Sequence, residues 1–193
     1  MEYCPITGET DCKCGKPQYK ISSMKVDLKA TLRKLFTDHA VYTKFVLNDI
    51  VDGVSSVNAF LNRLLDNQVD IGNQLKAIIG EEAGNTLTYL LQQHIKLAGE
   101  VIKSAAGHDD ENVLQRNVNE LFENSNKVAE FLSSLNPEQL PYDVTESMFH
   151  THNQFVIDMT ISRLNGQHEE EQRLYDAYYN EILELSDAIY NAL

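Results

Sequence analysis

The chain has 193 residues, 42% of them hydrophobic, with a formal net charge of −13 at pH 7. That length holds one domain with a sizeable core and is short for two, and the apolar content is too high for a disordered chain. The negative charge argues against nucleic-acid backbones and anionic membrane surfaces as partners, both of which need a positive footprint.

The first 25 residues read as an N-terminal extension. It holds all three cysteines, Cys4, Cys12 and Cys14. An odd number in one tail is not the disulfide framework of a secreted fold, and the spacing misses the paired C-x2-C knuckles of zinc modules. They read as incidental thiols, with a separate metal or redox thiol site as the alternative. The tail lacks the apolar core of a secretory signal, and no run of about 18 apolar residues follows, so an intracellular protein is expected.

Residues 26–193 read as one helical domain. Ser22 or Ser23 can cap a first helix reaching about Asp49, with an inward stripe of Leu28, Leu32, Leu35, His39, Tyr42 and Val46. Gly53 breaks it. The second helix carries Val57, Leu61, Leu64, Gln68, Ile71, Leu75 and Ile78 and ends at Gly80. The third has Leu87, Leu90, His94, Leu97 and Val101 and is closed by Gly107. Asp109 or Asp110 caps the fourth, whose stripe runs Leu114, Asn117, Leu121, Asn124, Val128, Phe131, Leu135 before Asn136-Pro137. Pro141 suits the first turn of the fifth, with Met148, His152, Phe155 and Met159, and Asn165-Gly166 ends it. The last helix offers Leu174, Tyr178, Glu181, Leu185 and Ala188, and its acidic start, Glu169 to Glu171, complements the helix dipole. Short connections make neighbours antiparallel, so the expected fold is all-α, a single six-helix up-and-down bundle. A faint echo links LLDNQVDIGN and FENSNKVAEF, each followed by a helix centred on a histidine, His94 or His152.

The chemistry lies in the stripes. His39, His94, His152 and Glu181 each sit near the middle of a helix, in slots where Leu would serve. In an antiparallel bundle of equal helices, midpoints share one height, so the four can meet in one layer. Buried imidazoles and carboxylates need each other, water or a cation. Three imidazoles and a carboxylate are a first shell for zinc, iron or manganese, with Asp70 and Asn124 behind them. His108, His150 and His168 read as peripheral.

The competing reading is a structural or interaction protein, an acidic homo-oligomer in which the same layer is a hydrogen-bond network fixing helix register. An enzyme using the histidines for acid–base work is a third reading, and it needs an open cleft. No histidine has Glu three residues before it, which excludes the paired Glu-x-x-His signature of ferritin-like di-metal bundles. A phosphate-binding glycine loop, a nucleophile elbow and a His-Glu-x-x-His helix are also missing from the sequence.

Four segments, DNQVDIGN (Asp66 to Asn73), GEEAGNTLTYLLQQHI (Gly80 to Ile95), AEFLSSLNP (Ala129 to Pro137) and LYDAYYNEI (Leu174 to Ile182), carry a resemblance. The stretch from residue 26 onward resembles a family of helical-bundle proteins found in bacteria, with relatives expected in large DNA viruses. The resemblance implies the bundle fold, histidines at 39, 94 and 152, and the run Asn67 to Gly72. In the last helix it implies histidine where this chain has Tyr179 and Glu181. It brings no activity with it.

Overall fold

The computed structural model describes residues 17–108 and 110–193, with side chains over 27–107 and 110–193. The thiol site read at Cys4, Cys12 and Cys14 lies outside the described residues. Six helices follow in order: α1 Pro17–Asp52, α2 Val57–Ile79, α3 Glu81–Lys103, α4 Glu111–Leu135, α5 Tyr142–Leu164 and α6 His168–Ala192. The all-α six-helix bundle expected from the sequence is the fold. α1 is already helical at Pro17, before the Ser22 or Ser23 start read from the sequence, so residue 25 falls inside a helix.

Local sequence explains the breaks. Asp110 caps α4, its carboxylate accepting from the Asn112 and Val113 backbone N–H groups at 2.9 and 3.1 Å. Gly80, at φ 89°, is the only residue between α2 and α3, a turn that needs the left-handed region glycine enters without strain. Beyond that turn the two helices come very close. A Cβ placed on Gly72 would lie 1.8 Å from Thr88 Oγ1 and 3.1 Å from the Gly84 carbonyl oxygen.

Each helix packs on its neighbours in sequence, and α1 closes the ring against α6. Across the middle, the odd-numbered helices α1, α3 and α5 touch one another. The bundle is therefore three helical hairpins, α1–α2, α3–α4 and α5–α6, arranged with approximate threefold symmetry and with the first helix of each turned to the axis. The core stripes fall as read: Leu32, Leu64, Ile71, Leu75, Leu87, Leu121, Val128, Met159 and Leu185 are buried. Two stripes were extended one turn too far. Ile78 and Leu135 are 43% and 37% exposed, and Leu132 takes the buried place on α4. Among the described residues no helix is long and apolar enough to cross a membrane.

Candidate functional site

Each hairpin places one histidine on its axis-facing helix and one amide or carboxyl side chain on the other helix to hold it. His39 Nδ1 meets Gln68 Nε2 at 3.1 Å, His94 Nδ1 meets Asn124 Oδ1 at 3.1 Å, and His152 Nδ1 meets Glu181 Oε2 at 3.1 Å. The partners are 29, 30 and 29 positions apart in the chain. All three histidines are buried, and the His152 ring centroid lies 5.7 Å from those of His39 and His94. The mid-bundle layer read from the stripes therefore exists, with three imidazoles meeting at the axis.

The surrounding amides fix the ring protons. Asn124 Nδ2 donates to the Leu90 carbonyl at 3.3 Å, so Oδ1 is the atom facing His94 and His94 Nδ1 carries a proton. His152 Nδ1 likewise donates to Glu181. Gln68 differs: its Nε2 faces three acceptors with two hydrogens, His39 Nδ1, the Leu64 carbonyl at 3.0 Å and Asn67 Oδ1 at 3.1 Å, and an amide nitrogen can meet His39 only as a donor. His39 Nδ1 then accepts, and its proton sits on Nε2. His94 thus turns a bare Nε2 lone pair to the axis and His39 an N–H, and the His152 ring, held at Nδ1 by Glu181, completes the layer.

Burial holds the His39 imidazole well below its ordinary pKa, helped by the nearby His152 and His94. Burial and His152 push His94 down to about 3, against the opposing pull of the Asn124 hydrogen bond. Both rings are neutral at physiological pH. Two small cavities flank the layer along the axis. One, about 30 Å³, runs toward the α2–α3 turn and is walled by Phe36, Leu75, Leu87, Leu132, Phe149 and Ile189. The other, about 20 Å³, lies toward the α3–α4 turn and includes Thr43 and Asn153. Thr43 Oγ1 and Asn153 Oδ1 are buried without a hydrogen-bond partner among the described residues, and so is Glu181 Oε1. Thr43 Oγ1 and Tyr178 OH approach each other short of hydrogen-bond geometry.

Two of the expected site residues take other places. Glu181, read as a fourth ligand, stands behind His152 and orients its ring. Asp70, read as a group supporting the layer, is on the surface, its carboxylate 3.4 Å from Arg63. Gln68 and Asp70 are two residues apart, roughly 200° around the helix, so burying the first turned the second outward. Asn124 stands where it was expected, behind His94.

Sequence reading also missed a buried charge. Glu171, assigned to the solvated acidic start of α6, is buried and paired with Lys44 and with Arg163 at 3.0 Å, and His168 lies 3.3 Å away. Burial works to raise its pKa, but the Lys44 and His168 hydrogen bonds and the Lys44 and Arg163 charges outweigh it and hold the carboxyl below the usual range. Position 171 continues the α6 stripe three residues before Leu174, but with Glu169 and Glu170 beside it the run reads as one acidic first turn. His168 is the first residue of α6. His150 is half-buried on Asn126. A depression of about 710 Å³ between α4 and α5 is an open groove lined by Glu123, Lys127 and Glu130 and lies away from the three imidazoles.

Among the described residues no group of three or more His, Cys, Asp or Glu side chains already stands in the arrangement of a metal shell. No protein-family model, curated protein or solved structure matches the chain.

Proposed function

We propose that the protein binds one divalent transition metal on its axis through His39, His94 and His152, with zinc, iron and manganese as the candidate ions. The observation that carries this is the repetition: three hairpins each bring one imidazole to the same point and anchor its far nitrogen on the partner helix. Metal-ligating histidines are held in that way, the outer N–H donating to a carboxylate or carbonyl while the other nitrogen ligates. His94 already has that tautomer, and His152 already turns Nδ1 to a carboxylate. His39 has the other, and it becomes a ligand when the Gln68 amide turns over to accept from Nδ1. Two imidazoles on one ion at about 2.1 Å and a tetrahedral angle have centroids roughly 5 Å apart. The 5.7 Å separations therefore have to close by a fraction of an ångström for each ring.

A second reading rests on Gln68. Because its Nε2 lies 3.1 Å from His39 Nδ1, the layer already has a hydrogen-bond partner for that ring, and such a network fixes helix register without any ion. Elemental analysis of untagged protein, after incubation with each metal and desalting, separates the two. Near-stoichiometric metal that disappears in a His94→Ala, His152→Ala double variant supports the metal reading. Protein that stays metal-free, with a melting temperature indifferent to chelator, leaves the structural network.

A further inference from the structure

The two cavities beside the imidazole layer differ in chemistry. The cavity toward the α3–α4 turn includes Thr43 and Asn153, whose orphaned oxygens suit a water or another polar guest. In the cavity toward the α2–α3 turn, the only polar lining groups are the three histidines and Gln68. Gln68 turns its amide nitrogen away from the cavity, toward His39, Leu64 and Asn67, three acceptors for its two hydrogens. The remaining wall is aliphatic and aromatic, supplied by all six helices. Away from the histidine edges this wall offers water no partner, which favours an apolar guest over water. Its volume, about 30 Å³, exceeds the roughly 10–15 Å³ that one water requires and accommodates a guest of about two heavy atoms.

We infer that this cavity is a binding site for a small apolar diatomic molecule of the dioxygen class, seated against the imidazole layer. A guest there contacts aliphatic walls on most sides and the edges of the histidine rings on one. Binding rests on the cavity alone. The chemical consequence, a diatomic presented to an open coordination position, rests on the metal reading. Three protein ligands leave such a position free, and with one cavity on each side of the layer, water and the apolar guest approach from opposite faces.

The test is methyl NMR of the metal-free and zinc-loaded protein under dioxygen pressure, because paramagnetic oxygen broadens and shifts the methyl groups it visits. The expected result is saturable broadening of Ile71, Leu75, Leu87 and Leu132 methyls at oxygen pressures that leave Val46, Leu121 and Val156 unchanged. Filling the cavity by Leu132→Phe should abolish the effect, and the milder Leu75→Met should weaken it severalfold if the larger change prevents folding. Uniform broadening of both groups, or broadening confined to the Val46 side, overturns the inference. Selective broadening in a protein that takes up no metal supports the gas site and refutes the metal reading. Metal uptake without selective broadening does the reverse.

Discussion

Asn124 faces His94 Nδ1 through Oδ1 at 3.1 Å and donates through Nδ2 to the Leu90 carbonyl, one helical turn before that histidine. Asn67 does the corresponding work in the first hairpin, donating through Nδ2 to the Leu35 carbonyl at 3.0 Å, one turn before His39. There its Oδ1 goes to Gln68 instead of to the ring. The faint echo between the DNQVDIGN and FENSNKVAEF segments is the trace of this shared device. Each segment serves the histidine of the helix before it, not the one after.

That pairing sets the cost of losing a core histidine. His94→Ala removes a buried ring and leaves Asn124 Oδ1 without its donor, a change worth about 2–4 kcal/mol from the cavity and the unsatisfied acceptor together. His168 is exposed and makes only a long contact to Glu171, so His168→Ala should cost about 0.5 kcal/mol or less. Urea melts of the two variants check the ranking, and equal tolerance would contradict the buried layer.

Gln68→Glu separates the metal reading from the structural one. In the metal reading the new carboxylate accepts from His39 Nδ1, copies the His152–Glu181 pair and gives His39 the ligating tautomer. Metal affinity then rises, by about tenfold on the scale of outer-shell changes. In the structural reading the same substitution puts a second carboxylate into a buried layer already holding Glu181, and only lowers stability. Competition titration against a chelator, run beside melts of the metal-free variant, tells the two apart.

The helices, their order and most of the core were legible because the apolar stripe has the period of a helix and the turns carry Gly, Asn-Pro and Asp signals. His39, His94 and His152 were legible for the same reason, since a polar residue in an otherwise apolar stripe stands out. The roles around them were not. Whether Glu181 points at the axis or at the back of His152 depends on how α6 is rotated against α5, and a stripe fixes rotation only to within the width of a face. Glu171 was hidden because one cationic partner, Lys44, lies 127 positions away and the other, Arg163, sits across the α5–α6 turn. The threefold arrangement was hidden because the third hairpin uses Glu where the others use Gln and Asn.

Gly72 should be intolerant of any side chain. Its hydrogen lies where a Cβ would strike Thr88 Oγ1 and crowd the Gly84 carbonyl, and the carbonyl is backbone that cannot move without separating α2 from α3. Gly72→Ala should therefore destabilise by about 1–3 kcal/mol despite the better helix propensity of alanine. Gly99, also buried and helical, has nothing within 4 Å of its hypothetical Cβ, so Gly99→Ala should be neutral or slightly stabilising. Thermal melts of the pair test whether close approach, rather than burial, is the constraint.

Acid should unfold the protein in two stages with different owners. A histidine held neutral by burial takes up its proton in the unfolded chain near its ordinary value of 6.5, but in the folded protein only near 3 for His94, with His39 lowered in the same direction. The unfolded state therefore binds more protons through this interval. Stability is complete above about pH 6.5 and falls as pH drops toward 3, at up to about 1.4 kcal/mol per pH unit for each such ring. Glu171, held below its ordinary value of 4.5, adds its own loss only below that pH, where its unfolded form protonates first. Melting curves between pH 7 and 5 should thus steepen from the histidines alone. His94→Gln should reduce the slope in that interval to the share of His39 and leave the later fall in place, whereas Glu171→Gln should keep that slope and soften the later fall. A protein whose stability is flat from pH 7 to 5 would mean that the rings reach water or each other's protons in the folded state, and that the layer is not sealed.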